Sequence, residues 1–434
     1  MPALATALSA LAVVVYVAWS ARLDRRHVSA PMVFALVGAV FGWVSSGVLD
    51  ATVVHDVAEL TLALILFHDA AQVRPRQLRP DAVLCARLLL VGLPLTVALG
   101  YGTARLLLPG VGVWLALLLA AAVAPTDAGL GAATVLNPVV PVRIRRVLNV
   151  ESGLNDGLCT PVVLFAIAAA GGAEPGQRGT VGAAAAELCV GVLVGGVLGA
   201  GAGRLLSWAR RSGRAHVGLL PLATLTVPLA AYYGSLAVHG NGFVAAFVSG
   251  TAFASGFTAV ASAARAEPPG VEHPLELTES ISTVLGYAVW TMFGVVAVAH
   301  LGSLGSWRGV LFAVLSLTVL RMVPVSLALL GSGLRSPSRL FIGWFGPRGL
   351  ASVVFGLIAA ETLPGSAEET TVVGAVAVTV LLSVVAHGAS ADPGAAAYGR
   401  WVSRTQPPVE LGASVAPAAV RGHRHLRSVA DRPR

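Results

Sequence analysis

The chain is dominated by apolar runs, each about as long as the ~20 residues a helix needs to cross the hydrocarbon of a bilayer. About thirteen can be marked on that ruler, at approximately 3–20, 30–49, 56–71, 83–107, 111–136, 150–170, 181–206, 218–236, 240–262, 277–301, 308–331, 338–360 and 370–390. Lipid offers no partners to backbone N–H and C=O groups, so a spanning chain of this kind must close its hydrogen bonds within helices. The expected class is an all-α integral membrane protein. Composition agrees: 56% of residues are hydrophobic, 12% are charged and the mean hydropathy is +0.80, which excludes a soluble domain with an ordinary polar shell. The 49 glycines and 25 prolines suit closely packed transmembrane helices that contain breaks.

There is no lysine, so the net charge of +8 and the pI near 10.2 come from arginine. Charge alone would allow a nucleic-acid partner, but these arginines sit in short loops between apolar runs, and the positive-inside rule accounts for them without one. Clusters follow the first run (Arg22, Arg25, Arg26), the third (Arg74, Arg76, Arg79), the fifth (Arg143, Arg145, Arg146), the seventh (Arg210, Arg211, Arg214) and the eleventh (Arg335, Arg339). Arg178 and Arg308 are the main exceptions to the alternation. It implies an odd number of spans, the N-terminus outside and the C-terminus in the cytoplasm of a cell-membrane protein. The first run has its positive charge behind it rather than in front, the reverse of a cleaved signal peptide, and reads as a retained helix.

No loop is long enough for a second domain, so residues 1–390 read as one transmembrane unit. The segment 391–434, rich in arginine, proline and small residues, reads as a disordered tail that either touches anionic headgroups or is simply solvated. Cys85, Cys159 and Cys189 lack the spacing of a metal site or disulfide framework and read as buried packed thiols. Gly191, Gly195, Gly199 and Gly203, four apart, make a groove for close helix approach, and Gly38 and Gly42 fit the same packing role.

Ionisable groups deep in lipid cost several kcal/mol unless they meet a cavity or a partner, so each one inside a run is a functional candidate. The third run ends in His68 and Asp69, which either join a site or lie at the rim. In the fifth, Pro125, Gly129 and Gly131 interrupt the helix around Thr126 and Asp127. The twelfth repeats the pattern, with Gly343, Gly346, Pro347 and Gly349 around Arg348. Two interrupted helices in corresponding places of the two halves point to inverted repeats with a binding site between the breaks. The sixth carries "VESGLNDG" at its head, where positions four apart share a face: Ser152 goes with Asp156, and Glu151 with Asn155. Burial would penalise a bare Asp156 carboxylate, and a bound proton or a bound cation would each relieve that penalty. If both compete for the one carboxylate, loading either expels the other. Oxygen ligands suit a small monovalent cation, and no soft ligand set for a transition metal is visible. Glu151 needs a counterion, and Arg348 is the expected one.

At these residues the chain resembles the cation:proton antiporter superfamily, in particular the NhaP branch of sodium/proton antiporters, relatives of the animal sodium/proton exchangers. The likeness runs through "LILFHDA", "APTDAGLGAATV", "VESGLNDG", "GNGFVAAFVSG", "GPRGLASVVF" and "SVVAHGASADP". It implies about thirteen transmembrane helices with two crossing broken helices. It also implies a homodimer in which a core domain (about 83–170 and 308–390) moves against a dimerisation domain, with no cofactor. Asp156 would carry the proton or the cation; Ser152, the backbone of Thr126 and Asp69 would complete a Na+ site; Asn155 would brace the broken helix near Thr126 and Asp127; Glu151 and Arg348 would form a structural pair. An asparagine before the aspartate implies electroneutral exchange. Asp69 is followed by Ala70 and Ala71 where relatives often have glycine, and His68 beside it reads either as a pH-tuning group or as a surface residue. Potassium or lithium could replace sodium, because ligand type does not set cavity size. An intramembrane aspartyl protease would need two facing aspartates, a passive channel would need rings of carbonyls or charge, and a non-transporting membrane sensor is the remaining alternative.

Overall fold

The computed structural model describes residues 2–24, 26, 28–45, 50–73, 80–171, 181–261, 274–299, 306–363 and 365–412. Arg25, Arg74, Arg76, Arg79, Arg178 and the segment 413–434 lie outside the described residues. Helices run as α1 (Pro2–Asp24), α2 (Ala30–Ser45), α3 (Ala51–Gln72), α4 (Ala82–Leu107), α5 (Val113–Ala122), α6 (Ala132–Val135) and α7 (Val142–Ala170). There follow α8 (Val181–Arg211), α9 (Leu220–Ala237), α10 (Gly242–Ala261), α11 (Glu276–Ala299), α12 (Trp307–Ala328, bent at Thr318), α13 (Ser336–Trp344), α14 (Leu350–Thr362) and α15 (Ala367–Thr405). Seven of these are long and apolar enough to cross a membrane by themselves. The pairs α5/α6 and α13/α14 are the two interrupted runs, each lying between two longer helices. This is an all-helical, multi-pass membrane protein of the expected class.

Packing follows two groups. In one, α5 lies against α4 and α7, α15 against α12 and α14, and α12 against α4 and α13. In the other, α10 lies against α8, α9 and α3, and α11 against α2 and α3. Helices α3 and α10 also touch α7, and α3 touches α14, so the groups meet beside α7. The glycine row of α8 closes on α10 as expected: a Cβ at Gly195 would stand 2.3 Å from the Ala245 carbonyl oxygen, and one at Gly199 2.3 Å from that of Ser249. Gly38 lies as tightly on Thr291 of α11.

Two helices extend furthest beyond their expected limits. Helix α7 begins at Val142 rather than near 150, because Arg143 and Arg146 are held in it by Asp81, at 2.8 and 2.7 Å. Asp156 therefore sits at mid-helix rather than at the head of a span. Helix α15 runs on to Thr405 rather than stopping near 390. Ala391, Ala395, Tyr398 and Val402 form a buried stripe at helical spacing that packs on Phe341 and Phe345, so the stretch expected to open a disordered tail belongs to the core. Cys85 and Cys159 are buried free thiols, whereas Cys189 is exposed on α8, contrary to expectation.

Candidate functional site

The two interruptions cross and bond to each other. After α5 the chain has no helical hydrogen bonding at residues 125–127, and after α13 none at 346–349. Each break carries a proline, which cannot donate a backbone hydrogen bond and disfavours helical geometry in the residue before it. At the crossing the Asp127 amide donates to the Pro347 carbonyl at 2.8 Å. Gly346 and Gly349 make the approach possible: a Cβ at 346 would stand 2.8 Å from Thr126 Cγ2, and one at 349 only 2.1 Å from Asp127 Oδ2.

A broken helix leaves unpaired amides at one end and unpaired carbonyls at the other, and both carry partial charge. The side chain of Asp127 takes the amides. Its Oδ1 accepts from Gly129 N (2.7 Å) and Leu130 N (3.3 Å), and its Oδ2 accepts from Leu350 N at the start of α14 (2.9 Å). Arg348, fully buried, takes the carbonyls: Nη1 donates to Ala124 O (2.6 Å) and Pro125 O (3.2 Å) beyond α5, and Nη2 to Ser316 O (3.3 Å) beside the bend in α12. At the end of α13, His387 Nε2 lies 2.8 Å from Trp344 O, and Nδ1 lies 3.2 Å from Ser383 Oγ, the hydroxyl that accepts from Arg348 N at 2.6 Å.

Helix α7 passes directly beside this crossing. Asn155 Nδ2 donates to Thr126 Oγ1 at 2.8 Å, and Thr126 Oγ1 shares a hydrogen bond of 2.9 Å with Ser152 Oγ. Ser152 and Asn155 thus meet the same threonine, three residues apart rather than on the two separate faces expected. Asn155 Oδ1 is buried and accepts no hydrogen bond among the described residues. Asp156, one residue on, is buried at 7% exposure, and its backbone carbonyl accepts from Thr160 Oγ1. Asp69 comes alongside from α3: a Cβ on Gly153 would stand 3.6 Å from Asp69 Cβ. Ser152 and Asn155 are therefore tied to Thr126 in the break, with Asp156 buried on the same turn of α7 and Asp69 lying against Gly153 of that turn. On the far side of that turn, Gly157 faces the ring of Phe247 on α10.

Glu151 does not pair with Arg348. Its Oε1 lies 2.6 Å from Arg321 Nη1, with both side chains at most 2% exposed. The bend at Thr318 turns Arg321 of α12 toward α7, while the carbonyls freed by the α5 break already claim the guanidinium of Arg348. His68 is no surface residue either. It is completely buried, with Nδ1 3.2 Å from Asp69 Oδ1 and Nε2 3.7 Å from Glu279 Oε2 of α11. Arg321 and His387 carried the same signal that singled out Arg348, an ionisable group inside an apolar run. Glu279 carried none, since an acid in the first turn of a helix is ordinary. Among the described residues no group of three or more His, Cys, Asp and Glu side chains could hold a metal ion.

The fold is that of the sodium proton antiporter MjNhaP1 from Methanocaldococcus jannaschii. Its structure at pH 8 matches with a TM-score of 0.67 at 17% identity, covering 90% of this chain and 100% of that one. A second structure of the same protein, from an electron-microscopy map, gives 0.67 and 17% over 92% and 98%. The K(+)/H(+) antiporter NhaP from Alkalimonas amylolytica is 24% identical over 404 residues, 90% of this chain, which spans 66% of that relative's length. The family model described as sodium/hydrogen exchanger, transmembrane, matches residues 9–394 and so takes in both breaks and the whole of α7. The chain belongs to the sodium/hydrogen exchanger family of membrane transporters.

Proposed function

We propose that this protein is a secondary active antiporter that exchanges a monovalent cation, sodium first, for H+ across the cytoplasmic membrane by alternating access. The observation that carries this reading is the turn of α7 that bears buried Asp156 and is bonded through Ser152 and Asn155 to Thr126, beside the crossing of two helix breaks. Asp156 holds either the proton or the cation. Ser152 Oγ, Thr126 and Asp69 supply further hard oxygens, and a set of oxygens around one carboxylate suits an alkali cation. Asn155 and Thr126 hold the turn against the break, Asp127 and Arg348 neutralise the helix ends, and Glu151 is braced by Arg321.

A cation and a proton that cannot share the carboxylate must exchange, because an empty charged site is too costly to carry through the low-dielectric interior. One carboxylate beside a neutral asparagine supports one-for-one, electroneutral exchange. The two packing groups support a core built from α4–α7 and α12–α15 moving against the remaining helices, within a homodimer whose N-terminus is outside and C-terminus cytoplasmic. Potassium is the second reading, favoured by the relative that is a K(+)/H(+) antiporter. Purified protein reconstituted in liposomes with an internal pH dye tests both. Addition of Na+ outside acid-loaded vesicles should drive proton efflux, and Na+, K+ and Li+ taken in turn rank the substrates. Absence of cation-evoked proton movement with every alkali ion would overturn the reading.

A further inference from the structure

Beyond α15 the chain turns at Gln406, in the left-handed region at φ 42°, and residues 406–412 fold back onto the end of the molecule that carries Arg143 and Arg335. The side chain of Glu410 there is 1% exposed. Its Oε1 accepts from Arg335 N at 2.9 Å and from Ser338 Oγ at 2.7 Å, so a carboxylate closes the first turn of α13. Ser338 Oγ is in turn 2.9 Å from Tyr398 OH of α15. One residue earlier, the Val409 carbonyl accepts from Arg143 Nη1 at 2.6 Å, while Arg143 Nε is held by Asp81. Val409 also packs on Gly333, just before α13.

We propose that Glu410 is a positioning residue for transport: with Val409 it clasps the foot of α13 to the foot of α7, and so fixes how the two helices meet at the ion site. The nine residues of α13 carry this restraint about 13 Å to the break at 345–349, at about 1.5 Å per residue. Arg143 and Asp156 stand on the same helix, thirteen residues apart. Stability alone does not explain the acid. Glu410 Oε2 is buried and accepts no hydrogen bond among the described residues, a cost that an apolar residue of similar size would avoid. What the carboxylate adds is a charge-assisted bond to an end-of-helix amide, which sets the position of the helix.

The inference rests on the antiport reading for its transport readout, and amide exchange tests it without transport. Four variants of the full chain are compared: a stop after Gly412, a stop after Thr405, Glu410→Ala and Glu410→Gln. The stop after Gly412 should leave the apparent KM for Na+ and the pH profile unchanged. The stop after Thr405 and Glu410→Ala should raise that KM by about threefold to tenfold and displace the pH profile, in protein that stays monodisperse. Glu410→Gln, whose amide oxygen can accept the same two bonds without the charge, should recover part of the loss. Hydrogen exchange of the α13 amides should accelerate in the Thr405 stop and in Glu410→Ala, whether or not the protein transports. Wild-type KM and pH profile in the Thr405 stop would overturn the inference, as would unchanged α13 protection. Equal losses in Glu410→Gln and Glu410→Ala would do the same.

Discussion

The pairing of Glu151 with Arg321, rather than with Arg348, makes a prediction that separates two buried arginines. The two groups approach to 2.6 Å and neither is more than 2% exposed. At an effective dielectric near 20 and a charge separation of about 3 Å, their attraction is about 5 kcal/mol. Much of that offsets desolvation, so removing both charges is close to neutral, whereas removing one leaves the other buried and unpaired at a cost of about 3–5 kcal/mol. Arg321→Met and Glu151→Gln should therefore each lower stability by that amount, and the double variant should recover most of it. A double-mutant cycle between 151 and 321 should give a coupling of about 2 kcal/mol or more, and the cycle between Glu151→Gln and Arg348→Met should give a clearly smaller one. Thermal unfolding of purified protein, followed by tryptophan fluorescence, reads the series, with single variants falling by about 3–10 °C. Additive losses in the 151/321 pair would refute the argument, as would a larger coupling to Arg348.

Gly349→Ala would bring a Cβ within 2.1 Å of Asp127 Oδ2; it should push Asp127 off the Leu350 amide and reduce exchange at least about tenfold, measured as initial rate in proteoliposomes. Thr126→Ala removes the oxygen shared by Ser152 and Asn155 and should raise the apparent KM for Na+, while Thr126→Ser should retain most affinity. Because proton and cation compete for one carboxylate, the apparent KM for Na+ should rise about tenfold per pH unit on the acid side of the profile, by mass action, and a KM independent of pH would contradict a shared site. Clamping the membrane potential with K+ and valinomycin during Na+ exchange should leave the rate unchanged, since one-for-one exchange moves no net charge.

Much of the fold could be read from the sequence because lipid imposes a length on every span and glycine–proline clusters mark breaks whatever the tertiary context. The site turn was equally legible: Thr126, Ser152, Asn155 and Asp156 stand out as polar groups in apolar runs. What stayed hidden depends on which partner reaches first. Arg321 and Arg348 are chemically identical candidates for Glu151, and only the bend at Thr318 together with the freed carbonyls of Ala124 and Pro125 decides between them. The burial of His68 depends on Glu279 arriving from a helix more than two hundred residues away, which no local pattern encodes. The docked segment at 406–412 reads as tail by composition, and its contacts with Arg143, Gly333, Arg335 and Ser338 give it structure.

Exchange by Asp156→Asn, reconstituted beside wild type, tests the central claim most directly. The amide keeps the shape of the side chain but binds neither a proton nor a cation as a charge. The variant should fold with a thermal midpoint near wild type and show no Na+-, K+- or Li+-evoked proton movement at any pH. Exchange at the wild-type rate in that variant would contradict the account.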